Sequence, residues 1–343
     1  MKRIAVDLAK SVYQVAESVR SGQVVQRKRL NREAFRRYIQ EQTEPVEWVM
    51  EACGTAHYWG RLAQSLGHQV RLLHPRYVRP YRRRNKTDRN DCDAMLEAAR
   101  CTDIHPVPVK SHNQQQLQQL HGLRETWKKS RTQRINLLRG MLREAGIEAP
   151  ASTAAFIQAA SELVDQPELT SLSRLLHIVL AEINLYEQCM AECEQQLQRW
   201  HADDEIVRKL DEVSGIGLLT ASALTATVGK PERFASGRQL SAWLGMTPRE
   251  FSSGNSRKLG HISRQGNVYV RTLFIHGSRA ALLAAQRCQA RTPEKLTQLQ
   301  RWAGQTAARI GHNKAAVALA NKLVRICWAV WCHERRFSGD WQS

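Results

Sequence analysis

Four carboxylates constrain this chain more than any other feature, because of where each one sits. Asp7 closes the apolar run Ile4-Ala5-Val6, and Glu51 closes Val46-Glu47-Trp48-Val49-Met50. Asp88 and Asp91 share Thr87-Asp88-Arg89-Asn90-Asp91, where a helix is expected to begin after an arginine-rich loop. A carboxylate at the end of a buried strand is costly unless it is paired or bound to a cation. Two such strands side by side, with an i, i+3 pair of aspartates on a facing helix, would gather four acids around one small volume. Oxygen-only donor sets suit hard divalent ions, typically Mg²⁺. Two such ions can stabilise the attacking and leaving oxygens of a phosphodiester displacement. The pattern predicts a metal-dependent nucleic-acid enzyme; the bland alternative is four solvated or salt-bridged acids.

Along the chain, residues 4–7, 12–16 and 24–25 read as strands, the last after a turn at Ser21-Gly22. Asn31 is placed to cap a helix to about residue 41, followed by strand 46–51, helix 55–66 and strand 69–73. Three strands followed by alternating helices and strands predict an α/β domain with a mixed sheet over residues 1–111. The basic segment with Arg76, Arg79, Arg82, Arg83, Arg84 and Lys86, together with Arg89, would deliver a phosphate backbone to the acids.

Residues 112–202 read as an all-α, coiled-coil-like region. Leu172, Leu176, Val179, Ile183, Tyr186, Met190, Cys193, Leu197 and Trp200 alternate spacings of four and three. That stripe suits an intramolecular hairpin and an oligomer seam equally. The helix upstream, about 114–145, is basic on one side at Arg124, Lys128, Arg131 and Arg134, and residues 149–166 break the helical pattern. The third region, 203–343, reads as mainly α-helical. Within it Ser214-Gly215-Ile216-Gly217 separates two helical segments, a helix-hairpin-helix-like turn whose Gly215 and Gly217 backbone could bind a phosphate.

Charge supports a polyanionic partner. The formal net charge is +19 and the pI about 10.0. Residues 1–111 hold 21 Lys and Arg against 12 Asp and Glu, residues 112–200 hold 9 against 10, and residues 201–343 hold 21 against 10. Two basic modules thus flank a near-neutral middle. The N-terminus enters a strand without a signal-peptide core, and no run approaches the roughly 18 apolar residues of a membrane span. The eight cysteines form no Cys-x-x-Cys pair, and a zinc site is not expected. A cytoplasmic, nucleoid-associated protein with reduced thiols is the expectation.

Residues 248–261 are polar, glycine-containing and basic, and predict a surface loop. A serine before glycine is ordinarily a turn residue. The sharper reading makes Ser253 a nucleophile toward phosphorus, with Arg257, Lys258 and Arg264 offsetting phosphate charge and His261 nearby. Arg249 and Arg271 are counted with them as nucleic-acid contacts.

Several stretches have a familiar order: Val6-Asp7-Leu8-Ala9-Lys10, Met50-Glu51-Ala52-Cys53-Gly54, and Lys86-Thr87-Asp88-Arg89-Asn90-Asp91. Gly215-Ile216-Gly217, Leu244-Gly245-Met246-Thr247-Pro248, Ser252-Ser253-Gly254, Ile262-Ser263-Arg264-Gln265-Gly266-Asn267 and Asn313-Lys314-Ala315-Ala316 follow. In these the chain resembles, nearly end to end, the DEDD-type insertion-sequence transposases, the family of the Piv-like DNA invertases and the bridge-RNA-guided recombinases. The resemblance implies a RuvC-like, RNase H-type first domain with Asp7, Glu51, Asp88 and Asp91 as Mg²⁺ ligands, two ions with Mn²⁺ as a substitute. It implies a C-terminal transposase domain whose Ser253 forms a transient phosphoserine link to DNA, with Ser252 the alternative nucleophile. It also implies a homo-oligomer, dimer or tetramer, assembled through the helical region on double-stranded donor and target DNA. A noncoding guide RNA would supply sequence choice while the protein reads shape and backbone. Asp93 is a further acid, expected to point away from Asp88 and Asp91.

Three other readings compete: a RuvC-like nuclease using metal-activated water, a non-catalytic nucleic-acid-binding protein, and a sugar-kinase or actin-like ATPase. The ATPase needs glycine-rich phosphate loops in a second α/β lobe, which the sequence lacks, and a decayed site would have lost some of the four acids.

Overall fold

The computed structural model of the protein describes residues 1–20, 23–82, 85 and 87–338. The turn expected at Ser21-Gly22 and the candidate contacts Arg83, Arg84 and Lys86 lie outside the described residues. The chain separates into two compact units, Met1–Gln115 and Gln116–Ser343.

In the first unit, β1 (Arg3–Leu8), β2 (Val12–Arg20) and β3 (Gln23–Asn31) are followed by α1 (Arg32–Gln40), β4 (Glu47–Glu51), α2 (Ala56–Ser65) and β5 (Gln69–Leu73). Two further helices, α3 (Pro75–Val78) and α4 (Asp88–Ala98), come next. The five strands lie in the order β3-β2-β1-β4-β5, with β1, β2 and β3 antiparallel and β4 and β5 parallel to β1. This mixed α/β arrangement is consistent with an RNase H-like domain. Alternation splits the core across the two faces of the sheet. Ile4, Val6, Trp48 and Met50 pack with Phe35 and Trp59 of α1 and α2, whereas Ala5, Val49 and Leu73 pack with Cys92, Met95 and Ala98 of α4.

Two elements differ from expectation. β2 and β3 run well past residues 16 and 25, because β3 is an edge strand whose Arg27 and Lys28 pair sideways with Asp93 (2.7 Å) and Glu17 (3.7 Å). Charge on an edge strand hides it from a hydropathy reading and discourages pairing with another sheet. The arginine-rich segment, expected as a loop, folds into α3 and a 3₁₀ turn at Arg79–Tyr81. His74 caps α3 by accepting from the Arg76 N–H, and fully buried Val78 pins it beneath α4.

α5 (His112–Glu144) leads into the second unit, which continues with α6 (Thr153–Val164), α7 (Ser173–Asp203), α8 (Glu205–Asp211), α9 (Leu218–Val228) and α10 (Gly237–Trp243). A hairpin of β6 (Pro248–Glu250) and β7 (Leu259–Ile262) follows, then α11 (Val268–Arg291), α12 (Gln298–Ile310) and α13 (His312–Cys332). α5 and α7 run antiparallel, fastened by Arg124–Glu194 (2.6 Å), Arg131–Glu187 (2.9 Å) and Arg134–Glu182 (2.8 Å). The α7 stripe buries Leu176, Ile183, Met190, Cys193 and Leu197, and its first part packs on Ile135, Leu138 and Phe156. The stripe is thus used within the chain, and a different α7 face leaves Leu175, Ile178 and Leu185 more than half exposed. α6 forms where a break was expected, because Ser152 caps it and Phe156, Ala160 and Val164 line one face. α13 is long and apolar enough to cross a membrane by composition alone, yet half of that stretch is buried inside the unit.

Candidate active site

Strand alternation builds the first part of the site. Asp7 lies two residues beyond Ala5, and Glu51 two beyond Val49, so both acids belong to the α4 face of the sheet. The parallel register that pairs Val6 with Met50 puts them at the same end. The Cys92 thiol of α4 donates to the Gln14 carbonyl at 3.2 Å, and Gln14 is the cross-strand partner of Asp7. The first turn of α4, with Asp88 and Asp91, is therefore delivered to the end of β1 that carries Asp7. Thr87 caps this helix, accepting from the Asn90 N–H at 3.2 Å.

Asp88 is exposed, whereas Asp91 is only 8% exposed. Asp91 Oδ1 lies 2.6 Å from Arg82 Nε, an ion contact whose angles fall outside hydrogen-bond geometry, so this buried oxygen has no hydrogen-bond donor. Burying a carboxylate oxygen in that state costs free energy that a bound cation would recover. Asp93 points away from this face and pairs with Arg27. Burial pushes the Cys92 thiol well above the usual range, and the Asp7 charge adds to the effect, so Cys92 stays protonated. As the side chains stand, no three His, Cys, Asp or Glu among the described residues are gathered closely enough to hold one metal ion. The donor chemistry still fits a hard divalent cation: oxygen-only groups on one end of the sheet, one of them buried without a hydrogen bond. Glu47, at the other end of β4, is already taken by Arg3 (2.5 Å) and Arg71 (2.7 Å).

Of the expected nucleic-acid contacts here, Arg76, Arg79 and Arg89 are exposed. Arg82 instead faces Asp91, a pairing that nothing in the sequence signalled.

The second part is the β6–β7 hairpin, exposed along nearly its whole length. It was expected as a loop, but Phe251 N–H donates to the Lys258 carbonyl at 2.8 Å and extends the strand pairing. Ser253 and Ser256 exchange backbone bonds of 3.1 and 3.0 Å around a tip where Gly254 has φ +51°. The Ser252 hydroxyl is held on both sides, donating to Glu250 Oε1 at 2.7 Å and accepting from the Lys258 N–H at 3.2 Å. The Ser253 hydroxyl has no such bond among the described residues. Arg249, Arg257, Lys258, Arg264 and His261 are exposed around it.

The base of the hairpin is fastened from below. Gly245 (φ +73°) and Gly266 (φ +110°) let the two stalks touch: a Cβ on Gly245 would stand 2.0 Å from the Gln265 carbonyl oxygen. Arg264 N–H donates to Gly245 at 3.0 Å and Ser263 N–H to Thr247 at 2.8 Å. From the helices, Asn321 Nδ2 donates to the Met246 carbonyl at 3.2 Å. Arg271 corrects an expectation. It is buried, its guanidinium donating to the Leu244 carbonyl at 3.0 Å, so it braces a stalk instead of standing on the surface. Gly215 (φ +88°) is likewise turned against α11, close to the Gly277 backbone, and only Gly217, at the start of α9, is exposed.

Sequence reasoning also missed His121 of α5, which lies 3.1 Å from both Tyr269 Oη and Ser222 Oγ. Burial lowers its pKa to about 4, and burial raises that of Tyr269 to about 12. A lone histidine in a long helix carries no signal of such a role.

The geometry defines a protein with an acidic site at a sheet end and, separately, a serine presented among cations. Comparison with known proteins gives this a class. Residues 4–147 match the DEDD transposase model of the IS110 type, and residues 207–294 match the transposase IS116/IS110/IS902 family. The chain is 39% identical to a probable family 20 transposase of Pseudomonas aeruginosa, over 97% of this chain and 98% of that one. It is 35% identical to the transposase for insertion sequence element IS1111A of Coxiella burnetii, over 98% and 91%. It is 31% identical to the transposase for insertion sequence element IS1328 of Yersinia enterocolitica, over 98% of each. These likenesses define a DNA transposase. The chain belongs to the IS110 family of insertion-sequence transposases, of the DEDD type. Membership implies a DNA substrate and the use of a divalent metal.

Proposed function

We propose that this transposase cuts and rejoins double-stranded donor and target DNA through a phosphoserine link on Ser253. The observation that carries the assignment is the contrast at the hairpin tip, where Ser252 is tied to Glu250 and Lys258 while the neighbouring hydroxyl is left to the solvent. In the forward step Ser253 Oγ forms a bond to phosphorus and the bridging deoxyribose oxygen departs, taking up the proton that the serine gives up. Attack by a DNA hydroxyl reverses those bond changes and frees the serine, so the phosphodiester count is conserved. Arg249, Arg257, Lys258 and Arg264 offset the charge of the phosphate, and the fastened stalks fix the approach of Ser253.

Asp7, Glu51, Asp88 and Asp91 would hold the metal, two Mg²⁺ ions or Mn²⁺ in their place. Bound there, the ions would polarise phosphate oxygens and stabilise the leaving group. Residues 1–111 would serve that site, residues 112–202 assembly, and residues 203–343 strand transfer. Assembly as a homo-oligomer is supported by the exposed Leu175, Ile178 and Leu185 on α7. A guide RNA would fit the two separate basic modules, whose exposed arginines contact backbone without reading bases.

Rapid denaturation of the protein acting on DNA bearing its element's ends, with any guide RNA from the same flank, tests the link. DNA should remain attached to wild type and to Ser252→Ala, but not to Ser253→Ala. Cleaved ends without attached protein, with Ser253→Ala cutting normally, would instead establish a RuvC-like nuclease using activated water.

A further inference from the structure

A second cationic site lies in the helical unit, away from the serine. α10 starts against the middle of α13 so closely that a Cβ on Gly237 would stand 2.8 Å from Arg325 Cα. Beside this contact is a cavity of 360 Å³, lined by Ser236, Arg238, Lys322, Arg325 and Trp328. None of its three cations lies within ion-pair distance of a carboxylate among the described residues. Lys322 and Arg325 are half-buried, and the Lys322 ammonium rests over the Trp302 ring at 4.6 Å. The opposite wall is equally fixed, since Trp328 Nε1 donates to the Pro231 carbonyl at 3.1 Å.

Half-burying two like charges together, with no acid to balance them, is unfavourable unless an anion fills the site. α13 itself contains no Asp or Glu along its length, and between Val268 and His333 the only acid is Glu294. Burial, with the Arg325 charge beside it, lowers the pKa of Lys322. Trp302 supports the lysine beside the cavity, and Arg238 and Arg325 flank it there.

We infer that this cavity is a phosphate-binding subsite that takes one phosphodiester of the nucleic-acid backbone. The inference rests on the nucleic-acid reading above and adds an anchor that the serine hairpin does not supply. α10 ends at Trp243, immediately before the Leu244 stalk, and its seven residues span roughly 10 Å. Lys322 also directly follows Asn321, which holds the other end of that stalk at Met246. A backbone anchored in the cavity is therefore held by the same two elements, α10 and α13, that mount the base of the hairpin.

The test uses the full-length protein and compares wild type with Arg238→Gln, Lys322→Gln and Arg325→Gln combined, which keep the side-chain stems. Binding of a mixed-sequence 20-base-pair DNA duplex and, separately, of bulk transfer RNA is followed by anisotropy across a salt series. The log–log salt slope for at least one of them should fall by about one unit, the loss of one phosphate contact, with the melting temperature unchanged. The nucleic acid that shows the fall identifies the source of the phosphate. As a second readout, modification of Lys322 by an amine-reactive probe, located by mass spectrometry in wild type, should drop at least threefold when that nucleic acid is present. Unchanged slopes with unprotected Lys322 would overturn the subsite while leaving nucleic-acid binding intact. Protection by inorganic phosphate but by neither nucleic acid would also overturn it. A wild type that binds neither probe would sink the parent reading, a distinguishable failure.

Discussion

Gly245→Ala gives the most direct check on how the serine hairpin is mounted, because a matched control exists in the same hairpin. Gly245 and Gly254 both hold positive φ, +73° and +51°, so alanine pays a similar backbone penalty at each, roughly 1–2 kcal/mol. They differ in surroundings. A Cβ at Gly254 meets nothing within 4 Å, whereas at Gly245 it stands 2.0 Å from the Gln265 carbonyl oxygen and 2.5 Å from its nitrogen. Both obstacles are backbone, so the stalks must separate by more than an ångström. That movement breaks the Arg264–Gly245 and Ser263–Thr247 bonds, at about 1 kcal/mol each, and strains the Arg271 brace. The expected total is about 3–5 kcal/mol for Gly245→Ala against about 1–2 kcal/mol for Gly254→Ala. At roughly 2–4 °C per kcal/mol, the melting temperature should fall by roughly 6–20 °C in the first and roughly 2–8 °C in the second. Thermal melting of the two variants side by side, with hydrogen exchange of residues 263–266, measures the difference. Equal losses would refute the argument that close approach, and not φ alone, requires glycine at 245.

Asp7→Asn should abolish strand cleavage and leave duplex binding within a few-fold of wild type; retained cleavage would remove Asp7 from the site. Arg82→Gln takes the cation away from Asp91, so Mn²⁺ titration by calorimetry should show tighter binding, and weaker binding would mean that Arg82 supports the acids instead of neutralising one. His121 titrates at about 4 in the folded chain against about 6.5 unfolded, so the unfolded chain binds the extra proton between those values. Its contribution to stability is whole above pH 6.5 and is lost as pH falls toward 4, by about 3 kcal/mol for a group this buried. His121→Gln should therefore show a shallower loss of melting temperature over that window than wild type, and parallel curves would contradict the assignment.

The first unit was legible because its sheet faces alternate: Ile4, Val6, Trp48 and Met50 against Ala5, Val49 and the acids that follow them. β3 was hidden because Gln26, Arg27, Lys28 and Arg29 lie on an edge strand, where Arg27 and Lys28 pair with Asp93 and Glu17, and hydropathy cannot distinguish such a run from a loop. α6 was hidden by Pro150 and Ser152, which announce a break, although Ser152 in fact starts the helix. Within the candidate site, sequence position indicated which residues stand at strand ends and in the serine segment. It was silent on which of two adjacent serines is tethered, because that depends on Glu250 and Lys258 meeting across the hairpin. Arg271 shows the same limit in reverse. Its charge suggested a DNA contact, and only packing reveals that its guanidinium faces the Leu244 carbonyl.

The placement of α13 has a consequence for synthesis. This helix supplies Leu319, Leu323, Val324, Cys327 and Val330 to the core that also holds α8, α9, α10 and α11, and its Asn321 secures the hairpin. Until residues 312–332 have emerged from the ribosome, those earlier helices lack the side chains that α13 brings to their shared core, and the serine hairpin lacks one of its fastenings. A chain whose reading frame is interrupted before this point would carry the four acids and Ser253 without the helix that completes the core beneath the hairpin. Loss of this one late helix would thus disturb how Ser253 is mounted while leaving the residue itself in the chain.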